Sequence, residues 1–363
     1  MNEKDYITLY PTNWLYNAGV VGFLGCLDRN DYLQDDNNIG SRYDFKEGIV
    51  KVNKDIFERI KVEDNYFENG KVINLKGKNL YYPNFLDVSG NQKDVFIYFV
   101  NLLSDQTIDS ECHICSMGKN IKESKIKESK QKDQFLKKIN ELNMVHNKLL
   151  GPSDKFPNAY WNLYDKMKIC HVCSFIFIHH HLAFTKLSDG SEIFINAPSF
   201  EVMYKLNKLV KEIFGTNGDS KKKREILAMS LIEYARRVQI TLGQWTAMNI
   251  EIVIKRNNII DFYSLPYETT QLISDKSIAS LLSDIGEIAI LNAVLDGNYH
   301  DLLHIAQKLI QISMKDNRNK SDSEYINNQL KRQNNKNDLS TTSYKILKLH
   351  ALIKERRKRY GTN

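Results

Sequence analysis

The sequence predicts an α+β protein, with a mixed N-terminal region that contains a four-cysteine finger and a helical C-terminal subdomain. Three observations carry this expectation. Two Cys-x-x-Cys pairs, Cys112/Cys115 and Cys170/Cys173, use four of the five cysteines. Short β-like runs alternate with helical periodicities as far as Pro266, the last of the six prolines. Beyond it the pattern is helical throughout. The expected boundaries are residues 1–266 for the mixed domain, 105–185 for the finger module with a basic insertion at 119–150, and 267–363 for the helical subdomain.

In chain order, Thr12 or Asn13 can cap a helix whose apolar residues recur with helical period through Leu27. Gly19 and Gly22 on that helix let another element come close, so it is expected to be buried, with Cys26 a small core residue. Residues 28–93 mix short β-like runs with turns. A hairpin is expected from Lys71–Leu75 and Leu80–Tyr82 around Lys76-Gly77-Lys78. Asp94–Leu103 reads as an apolar helix that delivers the chain to the first cysteine pair.

Each Cys-x-x-Cys spacing lets a tight turn point two thiols at one metal ion, and two such knuckles supply a tetrahedral site for Zn²⁺, with Zn–S bonds of roughly 2.3 Å. Cys112, Cys115, Cys170 and Cys173 are therefore the expected ligands of a structural zinc. A redox pair or a disulfide fits less well. No thioredoxin-like strand and helix pattern flanks either pair, and nothing in the sequence suggests an oxidising compartment. Four thiolates also close the coordination sphere, leaving no position for an activated water.

Between the knuckles the composition shifts. Ile121-Lys122-Glu123-Ser124-Lys125 is repeated at once as Ile126-Lys127-Glu128-Ser129-Lys130, a lysine-rich stretch short of core-forming residues. An exposed helix or a mobile insertion is expected there. After it, Tyr160–Tyr164 is an aromatic cluster leading to the second knuckle. The run Ser174–Phe184 is apolar apart from His179, His180 and His181. Three successive helical residues point in different directions, so these histidines are read as core or interface groups.

Glu192–Asn196 reads as a strand, Phe200–Phe214 as a helix closed by Gly215, and Lys222–Leu242 as a longer helix. Ile250–Lys255 and Ile259–Tyr263 flank Arg256-Asn257-Asn258 as a hairpin. Helices are expected over Ser277–Leu295, Tyr299–Met314 and Tyr344–Tyr360, with the polar stretch Asn317–Asn337 joining the last two.

The 363 residues, 42% hydrophobic and 26% charged, have the composition of a folded protein. No signal-peptide phases and no apolar run of about 20 residues are present, so a reduced, cytoplasmic protein is expected. The net charge is only +7, but the excess is concentrated. Lys119–Lys138 holds eight lysines, Lys221–Arg224 is an unbroken basic tetrad, and Lys354–Arg359 carries five cations against Glu355. Such blocks are either solvated faces or footprints for nucleic-acid phosphates. In the second reading the candidate contacts are Lys119, Lys122, Lys125, Lys127, Lys221, Lys222, Lys223, Arg224, Arg356 and Arg357.

Catalytic motifs are absent from the sequence. It has no phosphate-binding P-loop, no His-Glu-x-x-His, no Gly-x-Ser-x-Gly, and no His-x-Glu ahead of the cysteine pairs as a zinc deaminase would need. His300-Asp301 with His304 superficially resembles a metal dyad, but further separated ligands cannot be placed. The expectation is a protein that is not an enzyme. The alternative is a nuclease with a structural zinc finger, using His179–His181 or His300 with Asp301 as metal ligands. A zinc-dependent scaffold without nucleic acid is a third reading.

The opening Trp14–Leu24, the paired knuckles, and the segments Phe156-Pro157-Asn158-Ala159 and Phe194-Ile195-Asn196-Ala197 resemble the CRISPR-associated CXXC-CXXC family over most of residues 6–265. The resemblance implies a large subunit of type I-B surveillance complexes of the Cascade kind, an antiviral assembly. Such a subunit contacts the 5′ end of the crRNA, recognises the motif flanking the target in double-stranded DNA, and works beside backbone and small subunits. A separate helicase-nuclease then cuts. Guide pairing carries the sequence information, so the protein needs mainly backbone contacts and a few groove contacts. Only the four cysteines carry over residue by residue.

Overall fold

The computed structural model describes residues 6–29, 42–60, 99–101, 103, 112, 114, 141–142, 167–214, 223–237, 249–256, 259–330 and 338–359. The chain divides into two compact units, Met1–Asn207 with Val253–Phe262, and Lys208–Ile252 with Tyr263–Asn363. The helical tail expected from residue 267 onward thus shares its unit with residues 208–252. The expected hairpin at 71–82 and nearly all of the basic insertion lie outside the described residues.

In the first unit, β1 (Tyr6–Leu9), β2 (Tyr43–Lys46) and β3 (Ile49–Asn53) form an antiparallel sheet in the order β1-β3-β2. Glu47 and Gly48, at φ 53° and 85°, make the two-residue turn between β2 and β3, the positive-φ geometry that matches strand twist. Helix α1 (Trp14–Asp28) follows β1, and Asn13 caps it by accepting from the Tyr16 N–H at 3.0 Å. Because α1 is apolar on nearly every side, it is buried nearly all round, from Trp14 to Leu27 except Gly25. Asn53 caps the short α2 (Lys54–Arg59).

The paired strands β4 (Glu141–Leu142) and β5 (Met167–Lys168) precede α3 (His171–Ile178) and α4 (His180–Ala183). Both of these helices pack on α1. The two glycines explain how. A Cβ on Gly19 would lie 2.6 Å from the Ile176 carbonyl oxygen, and one on Gly22 would lie 2.1 Å from that of His179. The close approach expected at these glycines is therefore a crossing of helix backbones.

Strands β6 (Thr185–Lys186), β7 (Glu192–Asn196), β8 (Glu251–Arg256) and β9 (Ile259–Ser264) lie in that order in a second sheet. The expected strand at 192–196 and the hairpin around Arg256 are both present. The polar hinge of this unit is Asn17, which is 1% exposed. Its side chain accepts from the Thr12 N–H at 2.9 Å and donates to Asn196 Oδ1 at 2.8 Å, so no amide end is buried without a bond. Helix α5 (Phe200–Phe214) carries Asn207, whose amide closes on both the N–H and C=O of Ile195, at 2.8 and 2.7 Å.

The second unit is helical, with α6 (Lys223–Arg237), α7 (Tyr267–Ile273), α8 (Lys276–Ile285), α9 (Ile288–Leu295), α10 (Tyr299–Ser313), α11 (Lys320–Gln329) and α12 (Leu339–Arg359). Helix α8 packs on α6 and α12, and α10 packs along α12. Three expectations are revised here. The single helix expected over 277–295 is two, because Gly286 at φ 68° forms a left-handed cap and turns the chain. The polar stretch after Asn317 contains α11, started by a reciprocal capping box between Asn319 and Asp322. Helix α12 begins at Leu339, ahead of the expected Tyr344, with Asp338 Oδ1 accepting from the Thr341 N–H at 2.9 Å at its start, and the buried Ser343 inside it donates to the Ala306 carbonyl at 2.6 Å. No helix among the described residues is long and apolar enough to cross a membrane.

Candidate metal centre

The structure brings Cys112, Cys170 and Cys173 together, with their sulfur atoms all within 4.8 Å of one another. All three are buried, at 0%, 4% and 0% exposure. Tetrahedral thiolate coordination, with metal–sulfur bonds of about 2.3 Å, places sulfurs roughly 3.8 Å apart, so a small contraction suffices to hold an ion. Cys115, the fourth expected ligand, lies outside the described residues. Among the described residues this is the one group of three metal-ligating side chains that the fold gathers.

Local backbone geometry supports the cluster. Cys170 is the N-cap of α3, extended at φ −73° and ψ 163°, and its sulfur accepts from the Cys173 N–H at 3.4 Å. The Cys170 N–H in turn points at Cys112 Sγ, 3.3 Å away. Two peptide donors and the positive end of a helix therefore face the sulfurs, an arrangement that favours the negatively charged form a metal requires. The Tyr16 hydroxyl, on α1, lies 3.7 Å from Cys173 Sγ. No sequence motif marked Tyr16, because a contact across 157 residues leaves no local spacing to read. Cys26, the fifth cysteine, is buried elsewhere and accepts from Arg29 at 3.4 Å.

The three consecutive histidines are packing groups. Nδ1 of His179, His180 and His181 lies 2.8, 2.9 and 3.1 Å from the carbonyl oxygens of Phe175, Phe177 and Ile178. His179 also meets the edges of Phe23 and Phe175, with centroids 5.3 and 4.8 Å away. Burial pushes both His179 and His180 down to a pKa of about 3, with the neighbouring histidines adding to the effect. They are neutral at pH 7. His300, Asp301 and His304 lie exposed on α10 and are not part of the gathered group.

Of the basic candidates, Lys119, Lys122, Lys125, Lys127, Lys221 and Lys222 lie outside the described residues. Lys223 and Arg224 open α6. Arg356 has a structural partner, since its Nε donates to Asp275 Oδ2 at 2.8 Å and its side chain is 20% exposed. Asp275 is itself the N-cap of α8. The Arg357 guanidinium sits 5.0 Å from the Tyr299 ring centroid, a cation–π contact that ties α12 to α10. Among the described side chains of the last block, Lys354 and Lys358 are exposed.

Residues 128–185 match the family model of CRISPR-associated protein (Cas_CXXC_CXXC). The matched span includes Cys170 and Cys173, the whole of α3 and α4, and residues 128–150 of the basic insertion, while Cys112 and Cys115 precede it. It supports a CRISPR-associated protein, and the three gathered cysteines could hold a metal ion. The resemblance read from the sequence ran further, over most of residues 6–265. No curated protein and no solved structure matches the chain.

Proposed function

We propose that the chain is the non-catalytic large subunit of a type I-B CRISPR RNA-guided surveillance complex. In this reading it binds the crRNA 5′ end and recognises the target-flanking motif in double-stranded DNA. The observation that carries the proposal is the match of residues 128–185 to the CRISPR-associated family, a span that includes a cysteine pair that the fold gathers with Cys112. Zn²⁺ is the ion proposed for this centre, held by Cys112, Cys170 and Cys173 and completed by Cys115. Its role is to crosslink the two ends of the basic insertion, because four thiolates leave no open coordination position.

Nucleic-acid contacts are proposed in each unit by itself, from the insertion lysines Lys119, Lys122, Lys125 and Lys127 in the first, and from Lys221–Arg224, Arg356 and Arg357 with the exposed Lys354 and Lys358 in the second. Backbone and small subunits and a recruited helicase-nuclease complete the assembly, and cutting belongs to that last partner.

The test is purification of the chain from its native host under mild salt. The expected result is co-purification of crRNA and backbone subunits. Duplex binding should fall by about 10³-fold or more between 50 and 200 mM salt if some six phosphates are contacted. Isolation with no RNA and no partner subunits overturns the proposal. So does metal-dependent DNA cleavage by the purified chain that is lost on His300→Ala, which would establish the nuclease reading.

A further inference from the structure

We infer that Tyr16 is a working part of the metal centre, a hydrogen-bond donor to the Cys173 thiolate that tunes metal affinity and couples helix α1 to metal loading. The inference rests on the metal-centre reading above. Its geometric basis is the 3.7 Å separation of Tyr16 Oη and Cys173 Sγ, both 0% exposed, between side chains 157 residues apart.

Three features make this contact more than incidental packing. First, a buried phenol is costly unless its O–H finds an acceptor, and a metal-bound thiolate is an anionic acceptor with no proton of its own. The direction of the bond is therefore fixed once an ion is bound. Second, the neighbouring donors are peptide N–H groups, from Cys170 to Cys112 Sγ and from Cys173 to Cys170 Sγ. Cys173 Sγ is met by the Tyr16 hydroxyl, a side chain from a distant helix. Third, Tyr16 is held rigidly: its ring packs edge-on to Phe177 at 5.4 Å, and its N–H is fixed by Asn13 at the start of α1. Outer-sphere donors of this kind lower the charge density on the ligand sulfur and orient it toward the ion.

The consequence is a link between sites. Helix α1 reaches the centre through Tyr16, and it meets the helix that carries two of the ligands again at Gly19. Loading the ion should therefore stiffen α1 as well as the insertion, and losing it should loosen both.

The experiment compares the full chain with Tyr16→Phe, which keeps the ring against Phe177 and removes only the hydroxyl. Zinc affinity is measured by competition with a chromophoric chelator, and the centre is probed by the sulfur-to-metal charge-transfer absorption of the Co²⁺-loaded chain. The expected result is an unchanged stoichiometry, an affinity lower by about 10-fold or more, and a shifted charge-transfer band. The metal-free forms of the two chains should melt alike. Equal affinity and superimposable Co²⁺ spectra overturn the inference, as does a Tyr16→Phe chain that melts lower by the same amount with and without metal. A wild-type chain that takes up neither ion refutes the metal-centre reading itself, a result distinguishable from failure of the tyrosine alone.

Discussion

Helix α1 carries Gly19, Gly22 and Gly25, and alanine at each should have a different sign or size of effect. A Cβ on Gly22 falls 2.1 Å from a backbone oxygen, against ordinary contact from 3.4 Å, so the His179 carbonyl would have to retreat by about 1.3 Å. That atom belongs to the junction of α3 and α4 and cannot swing aside like a side chain. Overpacking of this kind costs about 1–3 kcal/mol, while alanine returns about 1 kcal/mol of helix propensity over glycine. With a backbone obstacle the upper end applies, so Gly22→Ala should destabilise by about 2 kcal/mol. Gly19→Ala needs a smaller retreat, from 2.6 Å, and should lose about 1 kcal/mol. At Gly25 the nearest atom is the movable Arg29 guanidinium at 3.4 Å, so Gly25→Ala should gain about 0.5–1 kcal/mol. Urea unfolding followed by tryptophan fluorescence reads the series, because Trp14 starts α1 at 8% exposure. Stabilities of Gly22→Ala and Gly25→Ala that coincide would refute the crossing of α1 on α3 and α4.

The buried histidines predict an acid-labile core. Their folded pKa values of about 3 lie below the unfolded value of 6.5, so their contribution to stability is present above pH 6.5 and is lost as pH falls toward 3. Between pH 6.5 and 5 the pair should cost about 3 kcal/mol. His180→Gln should roughly halve that slope in chelator-treated protein, and an unchanged slope would count against burial as its cause. Metal removal is the other lever. Serine is a preferred N-cap, so Cys170→Ser should leave the metal-free chain about as stable as metal-free wild type. It should abolish most of the roughly 4 kcal/mol that free zinc at 1,000 times its dissociation constant confers. Thermal melts with and without chelator measure this, and a full zinc-dependent shift retained in Cys170→Ser would remove Cys170 from the ligand set.

The parts of the fold visible in the sequence were those set by short-range periodicity. Glu192–Asn196, the hairpin flanking Arg256, and the helices at 200–214 and 299–313 are amphipathic or β-branched runs whose pattern repeats within one element. The buried character of α1 was visible for the same reason, as were the glycines that admit a neighbour. What the pattern missed was punctuation. Gly286 lies in a stretch whose apolar residues Ile278, Leu282, Ile285 and Ile288 keep helical spacing across it, and its φ of 68° records a turn that this spacing does not show. Helix α11 is polar and has few apolar residues, so only the Asn319/Asp322 capping box marks its start. Arg356 and Arg357 show the same limit for charge. A basic block looks uniform in sequence, yet Arg356 is spent on Asp275 and Arg357 on Tyr299, while Lys354 and Lys358 stay exposed.

For the candidate metal centre, the spacing singled out three cysteines that the fold gathers, Cys112, Cys170 and Cys173, but not what an ion there would hold. Joining Cys112 to Cys170 closes a loop of nearly sixty residues, worth about 4 kcal/mol in chain-entropy terms, and that would serve any insertion. The structure adds a second attachment. Cys170 and Cys173 stand at the start of α3, and eight residues of helix, about 12 Å, carry the chain from them to His179, where α4 meets Gly22. A displacement at the sulfurs is therefore passed along a short rigid rod to the tightest backbone contact on α1. Metal loading and the Gly22 crossing should then be energetically coupled. In a double-substitution cycle Gly22→Ala and Cys170→Ser should be non-additive in the metal-loaded state and additive in the metal-free state. Additivity in both would confine the ion to the insertion.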